Sequence, residues 1–124
     1  MIAFKNKKTL VFGASLKPER YSNMVVRSLV KHKQEVVAFG LRAGTVAGIT
    51  IDTQLVDYKG IDTITLYLGA ARQAPYYEYL LSLKPARVIF NPGTYNPEFI
   101  LLLKQNNIES DVACTLVLLG TNQY

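Results

Sequence analysis

Cysteine and histidine are almost missing from this 124-residue sequence, which has Cys114 and His32 as its single examples. One cysteine excludes an internal disulfide and any zinc site built from several cysteines of one chain. The order of a Ser-His-Asp triad is also missing, since Asp52, Asp57 and Asp62 lie in or beside predicted loops without a histidine partner. We therefore predict no catalytic residues and no metal site.

Long hydrophobic runs are also lacking. The longest apolar runs, residues 99–103 and 116–119, are far shorter than the roughly 20 residues of a membrane-spanning helix. The amino terminus passes from Met1 almost directly into the lysine-rich segment 5–8, so we predict no signal peptide. We expect a cytoplasmic protein without a membrane partner.

Acidic residues are scarce in the first third of the chain. Residues 1–42 contain nine lysines and arginines but two acidic residues, a net charge of +7, whereas the remainder sums to −2. A basic segment suits an anionic ligand, although scattered solvated lysines produce the same bias. The composition is 49% hydrophobic and 19% charged, as in globular proteins, and the length predicts one domain, residues 1–124.

Short apolar runs alternate with helical periodicity along the rest of the sequence. The runs predict strands at residues 8–13, 35–39, 63–68, 87–90 and 108–113. Between them we predict a helix capped by Ser22, a helix over 72–83, and a helix over 97–105 capped by Asn96. Within residues 43–60, the segment 47–51 predicts a short edge strand or an ordered loop, and residues 57–60 predict a turn. The fold class is therefore α/β: a three-layer, doubly wound, Rossmann-like sheet of about five mostly parallel strands.

Gly13, Ala14 and Ser15 close the first predicted strand. When the dinucleotide-binding fingerprint is laid over this turn, Gly13 is its first glycine, but Ser15 and Pro18 occupy the other two glycine positions. Glycine permits a sharp turn, and the small residues after it let backbone amides approach a pyrophosphate at the head of the first helix. An ordinary tight turn explains the same residues.

The second strand ends with a cation where NAD-binding proteins usually have an acidic residue. The segment Phe39–Arg42 stands there, while Glu35 starts the strand at the edge away from the ligand. Arg42 suits a ribose phosphate, and Arg20 suits pyrophosphate oxygens near the helix amino terminus. NADP, with a 2′-phosphate, and coenzyme A, with a 3′-phosphate, both fit this pattern.

Three segments resemble the small single-domain coenzyme A-binding proteins of bacteria: Gly13–Asn23, Ile89–Thr94 and Ala113–Leu116. The likeness covers nearly the whole chain. That family is similar to the amino-terminal coenzyme A-binding domain of the succinyl-CoA synthetase α-subunit, without its catalytic partner domains. Because this sequence lacks a phosphorylated-histidine segment, the resemblance implies binding and not catalysis.

The resemblance also implies which residues hold the cofactor. The pyrophosphate lies near the first turn and Arg20, and the adenosine end lies near the close of the second strand. The segment Asn91–Gly93 meets the pantetheine arm or is a plain turn. The predicted cofactor-binding residues are Gly13, Ala14, Ser15, Arg20, Ser22, Phe39, Gly40, Arg42, Leu68, Gly69, Asn91, Pro92 and Gly93.

We expect noncatalytic binding of coenzyme A or an acyl-CoA, as a sensor or regulatory module that acts with a protein partner or as a homo-oligomer. Two alternatives stay open: an NADP-dependent oxidoreductase, and a ligand-free Rossmann scaffold with a tyrosine-rich helix at an interface. The tyrosines at 76–79 favour packing over base stacking, so no nucleic-acid partner is expected. We interpret Cys114 as a small buried hydrophobic residue, with a coenzyme A-pairing thiol as the alternative.

Overall fold

A computed structural model describes residues 5–124 of the chain. Residues 1–4 lie outside the described residues. The prediction of no signal peptide, and the start of the predicted domain, fall on them. The strands are β1 Thr9–Ala14, β2 Val36–Gly40, β3 Gly44–Val46, β4 Ile49–Asp52, β5 Thr63–Leu66, β6 Arg87–Phe90 and β7 Glu109–Val112. The α-helices are α1 Tyr21–Lys31, α2 Tyr77–Ser82, α3 Pro97–Gln105 and α4 Thr115–Gly120, and two 3-10 turns lie at Ala70–Arg72 and Ala74–Tyr76.

The strands form one sheet in the order β3-β4-β2-β1-β5-β6-β7. All neighbouring strands are parallel except β3 and β4, which pair antiparallel at one edge. The Rossmann-like α/β class with a mostly parallel sheet is confirmed. The predicted number of about five strands is wrong, because the sheet has seven.

The two additional strands form a hairpin inside residues 43–60. Ala47 and Gly48 connect them with φ angles of 50° and 80°, as in a type I′ turn, which favours Asn-Gly or Gly-Gly. Alanine at the first of these positions hides the usual hairpin signal. The strands are also only three and four residues long, so their alternation is too short to detect.

Helices cover both faces of the sheet. Alternate residues of each central strand point to opposite faces, so Leu10 and Phe12 enter one core and Val11 enters the other. The first core contains residues from α2 and α3, including Leu80, Phe99 and Leu103. The second contains residues from α1 and α4, including Val25, Leu29 and Leu119.

The helix boundaries differ from the prediction in three places. Ser22 does not cap α1, because Arg20 is the N-cap residue and Ser22 lies inside the helix. The predicted helix 72–83 begins as two 3-10 turns; Pro75 lacks the N–H group that a continuous α-helix would use there. The short helix α4 was not predicted. Asn96 does cap α3, with its side-chain oxygen accepting from the Phe99 N–H at 3.2 Å.

Tyr124 closes the edge of the sheet where the parallel strands begin. Its ring lies 4.5 Å from the guanidinium carbon of Arg87, and its hydroxyl shares a hydrogen bond with that of Thr9. The Lys7 ammonium donates to the Tyr124 carbonyl oxygen. This residue therefore ties β1 and β6 together at the amino edge, far from the opposite edge where the strands end.

Candidate functional site

A cleft of about 490 Å³ opens at the carboxyl edge of the sheet. The ends of β1, β2 and β5 form its floor, and the amino end of α1 forms one wall. Strand order reverses at β1, since the chain proceeds from β1 to β2 on one side and returns to β5 on the other. Ligands of open α/β sheets bind at this reversal point.

Two glycines let the backbones approach closely on the cleft floor. Gly13 has a φ of 101°, which disfavours other residues, and a Cβ atom there would lie 3.1 Å from the Tyr67 carbonyl carbon. A Cβ atom on Gly40 would overlap the carbonyl oxygen of Ala14. Both residues are therefore required by the local backbone, and the surface above them is backbone that a ligand can approach.

The amino end of α1 borders the cleft through Tyr21 and Ser22. No side chain caps it, and its first turn contains no acidic residue. The Ser22 hydroxyl lines the cleft and makes no hydrogen bond to any residue in the range 5–124. The preceding turn is held in place by buried Asn23, whose amide donates to the Ser15 carbonyl oxygen at 2.9 Å. These donors can bind an anion.

Four cationic side chains line the same cleft: Lys17, Arg20, Arg42 and Arg72. Within the described part of the chain, none of the four forms a salt bridge, and no Asp or Glu is a lining residue. The observed salt bridges use other lysines and arginines. The cleft therefore has a concentration of positive charge that no salt bridge within residues 5–124 neutralises.

An apolar and aromatic surface lies beside these cations. The Phe39 ring stacks on Phe12 at a centroid distance of 4.8 Å, and Tyr76 meets Phe12 edge to face at 5.1 Å. Leu41 and Tyr21 also line the cleft, with 77% and 67% of their surfaces exposed. Cationic and apolar groups together suit a ligand that has both phosphates and an aromatic base.

The acidic residue nearest the end of β2 is already engaged. Asp52 lies opposite Phe39 in the neighbouring strand β4 and accepts a hydrogen bond from the Tyr58 hydroxyl. Burial, followed by this hydrogen bond, raises the pKa of Tyr58, so the phenol keeps its proton as the donor. Asp52 does not line the cleft, and Glu35 precedes β2 at the opposite edge. Neither carboxylate lies where NAD binding would use it.

Ten of the thirteen predicted site residues line the cleft. They come from all four expected regions: Gly13, Ala14, Ser15, Arg20, Ser22, Phe39, Gly40, Arg42, Leu68 and Pro92. Gly69, Asn91 and Gly93 are not lining residues. Asn91 is instead buried and structural: its amide donates to Thr65 and to the Leu66 carbonyl oxygen, and its own oxygen accepts from the Thr115 N–H.

Several lining residues were not predicted from the sequence. Leu16 and Lys17 lie between predicted residues of the first turn. Arg72 lies in the segment after β5, as Arg42 lies in the segment after β2. Arginine soon after a strand end is a signal that could have identified Arg72. Tyr76 and Tyr67 could not be distinguished from packing tyrosines without the three-dimensional arrangement.

Cys114 lies outside this cleft. Cys114 is the partly buried N-cap residue of α4 and is not a lining residue. Among residues 5–124, no three His, Cys, Asp or Glu side chains are grouped to hold a metal ion. No helix in that range is long and apolar enough to cross a membrane.

Within residues 5–124, a mostly parallel sheet with an uncapped helix and cations without salt bridges at its reversal point defines a Rossmann-like protein with a cleft suited to an anionic ligand. The model of the CoA binding domain family matches residues 7–120, so the chain belongs to that family. No curated protein matches the chain.

Solved structures with the same fold include three that cover most of the chain. One, described as an uncharacterized protein, is 41% identical, with a TM-score of 0.95 and coverage of 98% of this chain and 100% of the other. A cell-free-expressed protein from Thermus thermophilus is 23% identical, with a TM-score of 0.83 and coverage of 96% and 91%. A hypothetical protein from Pyrococcus horikoshii is 24% identical, with a TM-score of 0.80 and coverage of 91% and 81%. The latter two similarities show the fold alone.

Proposed function

We propose that the chain, as one domain over residues 1–124, binds coenzyme A or an acyl-CoA in this cleft without transforming it and acts as a sensor or regulatory module. The observation that carries the proposal is the group of four unpaired cations beside the uncapped amino end of α1. Membership of the CoA binding domain family supports the choice of ligand.

The phosphates of coenzyme A account for the charge of the cleft. In our proposal, the pyrophosphate lies over the Gly13–Ser15 turn, where it accepts from backbone amides, Ser22 and Arg20. The 3′-phosphate lies near Arg42, beyond the end of β2. Hydrogen bonds between charged partners contribute about 1.5–3 kcal/mol each when partly buried, so several together can supply much of the affinity.

The remaining parts of coenzyme A meet the less charged surfaces. The adenine base packs on the apolar residues around Phe39 and Leu41, and the pantetheine arm runs along Leu68 towards Pro92. All four residues line the cleft. This arrangement places the thiol end at the β6 side of the cleft.

The side chains of the cleft support binding more than catalysis. Among the described residues, 5–124, those that line it include no histidine, aspartate or glutamate, and Cys114 is not among them. The Tyr67 hydroxyl is buried, with no hydrogen-bond partner at normal distance within 5–124, and Thr65 and Thr115 lie nearby. Burial raises the pKa of Tyr67, so this phenol holds its proton tightly. A group of this kind is a poor proton donor for reductase chemistry.

NADP is the second candidate ligand because Arg42 also suits a 2′-phosphate. The two ligands can be separated by calorimetric titration with coenzyme A, 3′-dephospho-coenzyme A, NADP and NAD. We expect saturable binding of coenzyme A, weaker binding of the dephospho form, and loss of affinity in Arg20→Ala and Arg42→Ala.

A charge-matched control is Lys31→Ala, on the exposed side of α1 and outside the cleft lining. It should leave the affinity for coenzyme A unchanged. Preference for NADP over coenzyme A would replace this proposal with the oxidoreductase, and failure of all four ligands would leave the ligand-free scaffold.

A further inference from the structure

We propose that Gln73, which is not itself a lining residue of the cleft, is the positioning residue that sets the distance between two of its walls. This inference rests on the proposed function. One wall is the segment 68–72 after β5, which contributes Leu68 and Arg72 to the cleft, and the other is the segment 91–96 after β6, which contributes Pro92.

The Gln73 side chain is fully buried, with 0% of its surface exposed, and it bridges these two segments. Its amide nitrogen donates to the Leu68 carbonyl oxygen at 2.9 Å and to the Thr94 carbonyl oxygen at 2.8 Å. Its amide oxygen accepts from the Asn96 side chain at 2.9 Å. Both donor hydrogens of the amide are thus used, one on each segment.

Each segment also continues from a strand of the sheet, and the two strands β5 and β6 are paired; Gln73 adds a direct link between the segments beyond the strand ends. The 91–96 segment is fixed to the sheet by the Asn91 side chain, and Thr94 folds back onto the Asn91 carbonyl oxygen through its N–H and hydroxyl. The 68–72 segment continues directly from β5 and folds into a 3-10 turn. Besides the hydrogen bonds of Gln73, the structure gives no hydrogen bond between residues 68–72 and 91–96.

The bridge has a specific consequence for coenzyme A. The intact cofactor extends from the first turn to the wall at Pro92, so it contacts groups on both sides of the Gln73 bridge. Its nucleotide half, adenosine 3′,5′-bisphosphate, ends before that wall. A change in the spacing between the walls should therefore weaken the intact cofactor more than the fragment.

The test compares the two ligands on Gln73→Met, which keeps the length and volume of the side chain and removes its three hydrogen bonds. We expect the Kd for coenzyme A to rise about tenfold or more, and the Kd for adenosine 3′,5′-bisphosphate to change by less than about twofold. A second variant, Asn96→Asp, keeps the oxygen that caps α3 and loses the amide donor to Gln73, together with the one to the Tyr77 hydroxyl. It should change the ratio of the two Kd values in the same direction.

Tyr124→Phe is the control for a general loss of stability, because it removes a buried hydroxyl contact at the opposite edge of the sheet. It should lower the urea midpoint without changing the ratio of the two Kd values. Equal weakening of both ligands in Gln73→Met, or no weakening of either, would overturn the role of Gln73. Failure of the wild-type chain to bind coenzyme A would instead overturn the proposed function.

A measurement without ligand supplies a separate test. Hydrogen exchange of the Gln73→Met variant should be faster than that of the wild type at residues 68–72 and 92–96, and equal at residues 9–12. Unchanged exchange in the two wall segments would contradict the bridge whatever the ligand proves to be.

Discussion

Gly40 and Ala14 meet so closely that a Cβ atom on Gly40 would overlap the Ala14 carbonyl oxygen. The contact joins the last residues of β1 and β2, at a point where their register shifts between Phe12 and Ala14. This shift carries the chain from the sheet into the turn that forms the cleft floor. The fold and the site therefore depend on the same pair of residues.

The substitution Gly40→Ala should disturb both the fold and the candidate site. Inserting a methyl group against a backbone carbonyl should destabilise the protein by about 1–3 kcal/mol, measured as a lower urea midpoint, and should also weaken coenzyme A binding. Gly69→Ala is the matched control, since Gly69 has a φ of −59° and open space around its Cβ position. If the two variants were equally stable, the close contact would not be a constraint.

Ala47→Asn should stabilise the chain. Ala47 adopts a φ of 50° at the first turn position of the β3–β4 hairpin, where asparagine is more easily accommodated. We expect a gain of about 0.5–1 kcal/mol in the free energy of unfolding. Ala43→Asn, outside the residues with positive φ, serves as the control and should give no comparable gain. A loss of stability in Ala47→Asn would argue against the type I′ geometry.

Arg72→Ala tests a cleft residue that the sequence did not reveal. Because Arg72 is exposed and has no salt-bridge partner within residues 5–124, its loss should cost little stability. We expect the Kd for coenzyme A to rise about five- to tenfold, the equivalent of roughly 1 kcal/mol or slightly more. Lys104→Ala removes the same charge from an exposed site on α3. An equal effect of both variants would indicate long-range charge and not contact.

Buried and partly buried tyrosines predict a loss of stability at alkaline pH. Burial raises the pKa of Tyr79 from 10.0 to about 12, and the nearby Asp57 and Asp52 carboxylates add to the shift. Since the folded state holds this proton more tightly than the unfolded state, the stabilisation is complete below pH 10 and is lost as pH rises towards 12. Burial also raises the pKa values of Tyr58 and Tyr124, so these two residues add to the same loss of stability.

Urea unfolding measured at several pH values above 9 would test this prediction. The midpoint should fall more steeply for the wild type than for Tyr79→Phe, which has no proton to lose. Tyr79→Phe also loses the hydrogen bond from its hydroxyl to the Val56 carbonyl oxygen, so its midpoint should start lower. Identical slopes for the two proteins would assign the alkaline transition to other groups.

The sequence predicted the parts of the fold that have strong local signals. Buried strands such as β1 and β6, and the helix that begins after Asn96, have apolar runs or capping residues that specify them directly. At residues 47–51 the sequence left a short edge strand and a loop open, and the strand alternative overlaps β4. The hairpin partner β3 was missed because these short strands and Ala47 lack such signals. Ser22 was assigned as a cap because serine favours that position, yet Arg20 occupies it and Ser22 faces the cleft.

The residues of the site were likewise predictable only where a local sequence signal exists. Residues next to a strand end, such as Ser15 and Arg42, could be assigned from local order and family resemblance. The bridge through Gln73 joins residues about 20 positions apart, and no local pattern records such a contact. Asn91 was given a binding role because it follows a strand, whereas its side chain supports the sheet from within.

The most direct test of the central claim is an amide NMR titration of the chain with coenzyme A. We predict saturable shifts concentrated at the four cleft segments, residues 13–22, 39–42, 67–72 and the neighbourhood of Pro92, with little change at the amino edge around Thr9 and Tyr124. No shifts at saturating coenzyme A, or shifts centred away from these segments, would contradict the assignment of this cleft as a coenzyme A site.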